Sequence, residues 1–182
     1  MLNRTQAVNK CNSGFTLVEL MVTLSVAGIL VTVGVPSFAS MIASNRVTAA
    51  SNEVVTALNL AKSEAIRSGQ NTTLCKSADG TTCSGNWSDG WILFNDIDSN
   101  HTRDTTAGTK EQIIRVHGAS EPSLSFIFKT ADYIQFSPNG HSNANGHFCF
   151  HNSYSDENSR SVIITQIGRI RTEVHTGSRD CA

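Results

Sequence analysis

Apolar and small residues run almost unbroken from Phe15 to Val35. That is about the length an α-helix needs to cross a bilayer. The one full charge, Glu19, stands close to the start of the run. A carboxylate at membrane depth is costly to bury, so its default reading is functional, with a partner to be named. Pro36 follows the run. A proline removes one helical hydrogen bond and bends the axis, so it marks either a stop at the membrane edge or a bend in a longer helix. The pattern beyond it favours the longer helix. Val47, Ala50, Val54, Leu58, Ala61 and Ala65 recur at spacings of three and four, while Arg46, Asn52, Lys62, Glu64 and Arg67 fall largely elsewhere. This is a helical stripe of small apolar residues. Gly69, after Arg67, suits a C-terminal cap. One helix from Phe15 to about Ser68 would be roughly 80 Å long.

From Asn71 the periodicity changes to short β segments. The expected strands are Thr72–Lys76, Gly90–Phe94, Gln112–Val116, Leu124–Phe128, Tyr133–Phe136, His147–Phe150 and Ser161–Ile167. They are rich in Ile, Val, Phe and Thr, and clusters of Gly, Asn, Asp and Ser separate them. The fold class expected is α+β, with antiparallel strands packed on the C-terminal half of the long helix. Trp91, Phe94, Phe126, Phe128, Phe136 and Phe148 are assigned to the core; Trp87, among polar residues, is ambiguous. The longest loop-like segment is 95–110, and no internal repeat is evident.

Charge changes this picture little. The 182 residues carry 14 Lys+Arg and 15 Asp+Glu, a net charge of −1. Removing residues 1–14, which hold Arg4 and Lys10 and no acid, leaves −3. Any binding to nucleic acid must therefore come from a local patch. The five cysteines matter more. Cys11 lies in the N-terminal segment. Cys75, Cys83, Cys149 and Cys181 make a disulfide-compatible four, and in an oxidising compartment disulfides persist. The pairing expected is Cys75–Cys83, closing a short loop, and Cys149–Cys181, pinning the C-terminus to a strand, although three pairings are open to four cysteines. No Cys-x-x-Cys spacing supports a zinc site.

No catalytic set stands out. There is no HExxH, GxSxG or P-loop, and the six histidines are scattered, so no enzyme activity, cofactor or metal is assigned. Asp96-Ile-Asp98-Ser-Asn100, with Asp104 beyond, resembles the start of a calcium loop. It lacks the glycine expected next, where His101 stands, and an acid at the twelfth position, which is Ala107. A solvated turn explains it as well. The end of the chain is locally basic: from Ser159 onward four arginines face only Glu173 and Asp180. Arg169 and Arg171 are two apart, so in an extended segment both point to one side and Ile170 to the other. Two guanidiniums on one face suit phosphate oxygens. Gly168 lets the backbone turn or approach closely. Arg179, His175, Arg160 and Lys129 could extend the patch. The plainer alternative is a pair of surface arginines protecting an edge strand from aggregation.

Gly14-Phe15-Thr-Leu-Val-Glu19, after a short basic leader, resembles the processing site of type IV pilins and pseudopilins. An ordinary secretory signal is cut after its apolar region, whereas here the cut precedes it. The resemblance implies cleavage between Gly14 and Phe15 by a prepilin peptidase and methylation of the Phe15 amine, which would pair with Glu19 in a neighbouring subunit or its own. It also implies that a bend at Pro36 serves assembly. Further along, Asn59-Leu-Ala-Lys-Ser-Glu-Ala-Ile-Arg67, Gly90-Trp-Ile-Leu-Phe-Asn-Asp96, Phe136-Ser-Pro-Asn-Gly140 and Gly168-Arg169 look like the GspH/FimT group of minor pilins and pseudopilins. Within it, a C-terminal Gly-Arg-x-Arg resembles that of FimT-like proteins that bind DNA during natural transformation, and Gly168, Arg169 and Arg171 match it. The expected organisation is a cleaved leader (1–14), a transmembrane helix half (15–35), an amphipathic helix half (36–68) and a β-rich domain (69–182). The expected partners are double-stranded DNA through its phosphates, other pilin subunits, the prepilin peptidase and the inner membrane. The expected place is a single pass in the inner membrane with the domain in the periplasm, then an extracellular pilus. The alternative is a structural minor pilin or type II secretion pseudopilin that primes assembly without DNA.

Overall fold

The computed structural model describes residues 14–106, 111–128, 131–152 and 155–175. Helix α1 runs from Leu17 to Ser68 with Pro36 inside it. The helix therefore does not stop at the proline. The chain forms two compact units that divide at Ala39/Ser40. In the first, the apolar residues of α1 are exposed, from Phe15 and Leu17 to Val35 and Phe38. This helix is long and apolar enough to cross a membrane.

In the second unit the remainder of α1 shows one face to a core. Ala43, Val47, Ser51, Val54, Ala57, Leu58, Ala61 and Ala65 are buried along it, and Gly69 ends it with φ +68° and its N–H on the Ala65 carbonyl. That is the left-handed helix stop a glycine permits. Eight strands follow: β1 Asn71–Lys76, β2 Trp91–Asp96, β3 Ile113–His117, β4 Leu124–Phe128, β5 Tyr133–Phe136, β6 Gly146–Asn152, β7 Ser155–Ile164 and β8 Ile170–His175. They form two antiparallel four-stranded sheets, ordered β3-β2-β1-β5 and β4-β6-β7-β8. The architecture is α+β, one long helix packed on two sheets.

Both sheets turn apolar residues to the same helix face. Leu74, Trp91, Leu93, Ile134 and Phe136 come from the first sheet, and Phe126, Phe128, Phe148, Phe150, Val162 and Ile164 from the second. The small helix residues Ala57, Ala61 and Ala65 are fully buried in this core. Trp87, ambiguous in the sequence, is buried. Its ring meets those of Phe126, Phe128 and Phe148, and its Nε1–H donates to the Ala131 carbonyl at 3.3 Å. Phe94 is buried in a second, smaller cluster with Cys75 and Ile92 on the outer face of the first sheet.

Two expectations near the C-terminus need correcting. β7 ends at Ile164, not Ile167, because Thr165–Gly168 forms a turn that leaves Ile167 68% exposed at its tip. The segment after it is a strand, β8, rather than a turn alone. The Cys75–Cys83 disulfide is present. Cys149 is also disulfide-bonded; Cys181, its expected partner, lies outside the described residues.

Candidate nucleic-acid interface

The arginine pair sits on a β-hairpin. Ile164 pairs with Ile170 across it, and the Thr165 N–H donates to the Arg169 carbonyl at 3.1 Å. Gln166, Ile167 and Gly168 make the loop, and the Gly168 N–H closes it on the Thr165 carbonyl at 2.8 Å. Gly168 takes φ +70°. A turn followed by one left-handed residue is a common three-residue hairpin connection, and glycine fills that position without steric cost.

Glycine is needed at 168 for a second reason. A Cβ there would lie 2.0 Å from the Gly140 carbonyl oxygen and 3.2 Å from Lys62 Nζ. The hairpin loop thus rests directly on the Ser137–His141 turn. The Ser142 N–H donates to the Gln166 carbonyl at 2.8 Å, and Lys62 Nζ, from α1, donates to the Gly168 carbonyl at 2.8 Å. Three of the sequence segments that carry the family resemblance meet here: Lys62 of the helix segment, Gly140 of Phe136–Gly140, and Gly168. The hairpin is held from the helix side and from the loop side, so little backbone freedom is left to lose on binding.

The hairpin presents the arginines as strand alternation requires. Arg169 and Arg171 are exposed, while Ile170 between them packs against the core. Arg171 Nη2 lies 3.2 Å from Glu173 Oε1, with both side chains about half exposed to water. Among the described residues Arg169 has no acidic partner. Arg160 is placed differently. It pairs with Phe150 on one side and Val174 on the other, while Arg171 pairs with Ile163. Arg160 therefore shares the core-facing side of β7 with Val162 and Ile164, opposite Arg169 and Arg171. Lys129 and Arg179 lie outside the described residues. Of the predicted basic residues, the structure brings Arg169 and Arg171 together on one side of the hairpin, with the ammonium of Lys62 behind the turn.

The processing segment has its own local logic. Thr16 precedes the first helical residue and Glu19 is the third residue of α1. The Glu19 N–H donates to Thr16 Oγ1 at 3.2 Å, and the Thr16 N–H and hydroxyl donate to Glu19 Oε2, each at 3.3 Å. This is a capping box, which satisfies free N–H groups at a helix start from both sides. Thr-x-x-Glu before an apolar run is a legible sign of it, whereas the partner expected for Glu19 is the Phe15 amine, of a neighbouring subunit or its own. Phe15 is 85% exposed beside it. Residues 1–13 lie outside the described residues.

Residues 50–168 match the family model of the type II transport protein GspH, and residues 9–35 match the prokaryotic N-terminal methylation motif. The chain belongs to the GspH family. It is a minor pilin or pseudopilin of a type IV pilus or type II secretion system. The methylation motif and the pilin fold agree with prepilin processing, a membrane-anchored helix and assembly with other pilin subunits. The family match ends at Gly168, so Arg169 and Arg171 fall just beyond it. Two crystal forms of the type IV minor pilin FimU of Pseudomonas aeruginosa PAO1 are similar in structure, each at 19% identity. One has a TM-score of 0.56 over 73% of this chain and 95% of FimU; the other has 0.53 over 71% and 98%. The minor pseudopilin EpsH from the type 2 secretion system of Vibrio cholerae is similar at 12% identity and TM-score 0.50, over 71% of this chain and 97% of EpsH. At these identities the likeness is one of fold. No curated protein sequence matches this GspH-family chain.

Proposed function

We propose that this minor pilin binds double-stranded DNA without sequence preference and serves DNA uptake in natural transformation. The observation that carries the reading is the arginine hairpin. Two exposed guanidiniums leave one side of an edge strand, on a turn seated on Gly140 and tied to Lys62. Guanidiniums two residues apart suit successive phosphate oxygens of one backbone. Contact through two arginines is weak per molecule and strongly salt-dependent, and repetition along a filament would raise it by avidity. In this account the α1 segment anchors the chain once in the inner membrane with the domain in the periplasm. After cleavage between Gly14 and Phe15 the helix enters the core of an extracellular pilus. There the Phe15 amine pairs with a Glu19 carboxylate, a pair that fixes axial register more than it adds stability.

A second reading is favoured by one contact. Glu173 already engages Arg171, which suits a surface ion pair on a purely structural subunit of a pilus or secretion system. A DNA titration separates the two. A fragment of residues 40–182 is the natural reagent, because every buried residue of the core lies beyond Ser40. Wild-type binding that the Arg169→Gln/Arg171→Gln variant loses, at unchanged melting temperature, supports the DNA reading. Equal binding by the two proteins, or none by either, returns the chain to the structural reading.

A further inference from the structure

We propose that Asp96, Asp98 and Glu111 form a calcium site on the outer face of the first sheet, independent of the arginine hairpin. β2 ends at Asp96, and alternation places its side chain on the outer face with Ile92 and Phe94. The chain after β2 folds back over that face. Asp96 is fully buried there. Its Oδ2 accepts hydrogen bonds from Thr73 Oγ1 at 2.6 Å, Gln135 Nε2 at 2.7 Å and the His101 N–H at 3.2 Å. Its Oδ1, equally buried, has no hydrogen-bond partner.

Glu111 is the second fully buried carboxylate. Its Oε1 accepts from the Ile97 N–H at 2.7 Å and its Oε2 from the Asp104 N–H at 2.9 Å. Asp98, exposed, is oriented by Asn100, whose N–H and Nδ2 reach its two oxygens at 3.2 and 2.8 Å. One oxygen from each of the three carboxylates lies within 4.8 Å of the others. Among the described residues no lysine or arginine forms an ion pair with them, and the one basic side chain paired with the cluster is His101. Its Nδ1 is 3.5 Å from Asp96 Oδ2 and makes no hydrogen bond.

Burial, with the charges of Asp96 and Asp98 adding to it, pushes the Glu111 carboxyl above its usual range. The cluster is short of positive charge, and an unpartnered buried carboxylate oxygen is costly. A hard cation answers both defects. Calcium takes oxygen ligands at about 2.3–2.6 Å, so ligands on opposite sides of one ion stand about 4.8 Å apart. The two features the sequence lacks are supplied differently by the fold. His101 adopts φ +65°, the left-handed conformation that a glycine gives a calcium loop, and the missing acid at 107 is replaced by Glu111. An ion here would staple the segment after β2 to the sheet, above the small cluster of Cys75, Ile92 and Phe94. Millimolar calcium outside the cytoplasm would fill a site of the affinity found in extracellular modules.

The test is thermal melting of the full chain in detergent micelles, stripped with a chelator and then titrated with calcium or magnesium. Saturating calcium, about a hundredfold over Kd, should raise the melting temperature by about 5–10 °C. Magnesium at the same concentration should not. Asp98→Asn, a change at an exposed side chain, should melt like wild type in chelator and lose the calcium shift; Glu111→Gln should lose it too. No shift up to about 10 mM calcium, an equal shift with magnesium, or a full shift retained by Asp98→Asn would overturn the proposal.

Discussion

Replacing Gly168 with Ala tests whether the arginine hairpin is a seated structure or an ordinary surface turn. Two costs are expected. The first is conformational: alanine at φ +70° costs about 1 kcal/mol. The second is steric. The new Cβ would stand 2.0 Å from the Gly140 oxygen, so the backbones must part by about 1 Å even to reach the closest approach real Cβ atoms show. Neither side yields easily. Gly140 is held by its own N–H on the Ser137 carbonyl at 2.8 Å, and the Ser142 N–H binds the Gln166 carbonyl. Overpacking of this kind typically costs about 1–3 kcal/mol. The total is about 2–4 kcal/mol, or about 4–16 °C in melting temperature for a unit of this size.

Gly69→Ala is the matched control. Gly69 has nearly the same φ, +68°, but a Cβ there meets nothing within 4 Å. It should cost only the conformational part, about 1 kcal/mol. Denaturant unfolding of residues 40–182 measures both. Gly168→Ala costing no more than Gly69→Ala would refute the seating of the hairpin on Gly140.

Two further outcomes follow from other parts of the chain. The backbone N–H groups of Thr82, then Thr81, and the Thr82 hydroxyl hold the Asp79 carboxyl well below the usual carboxylate range. Because the folded pKa is depressed, its contribution is whole above about pH 4 and fades as pH falls toward the folded value. The melting difference between wild type and Asp79→Asn should therefore be present at pH 6 and shrink in acid; a difference constant with pH contradicts this. Glu19→Ala should leave the melting of the β domain unchanged and remove the subunit from purified filaments, and normal incorporation would show that its role is limited to the capping box.

How far the sequence led depends on distance along the chain. The helix and its stripe were legible because 3.6-residue periodicity is a local signal, and Val47, Val54, Leu58, Ala61 and Ala65 are buried as expected. Six of the expected strands fall where alternation and turn residues put them. β8 was not seen as a strand because it is an edge strand with few apolar positions, of which Ile170 alone is partly buried against the core. Ile167 drew β7 too long because an exposed apolar residue at a turn tip looks the same in sequence as a buried one. The shared side of Arg169 and Arg171 follows from spacing alone, whereas the opposite side of Arg160 needs the register of β7 on β8. The seating of Gly168 was out of reach, since Lys62 is 106 residues away. Glu111 was missed similarly: it is recruited by backbone N–H groups of Ile97 and Asp104 rather than by a spacing rule.

The salt dependence of DNA binding by residues 40–182 tests the central proposal most directly. Each phosphate neutralised on duplex DNA contributes about −0.9 to the slope of log Kobs against log salt. If Arg169 and Arg171 each meet one phosphate, the double glutamine variant should bind more weakly at every sequence and show a slope shallower by about 1.8. A variant with the same slope and affinity as wild type would contradict the account and leave the two arginines as ordinary surface charges of a structural pilin.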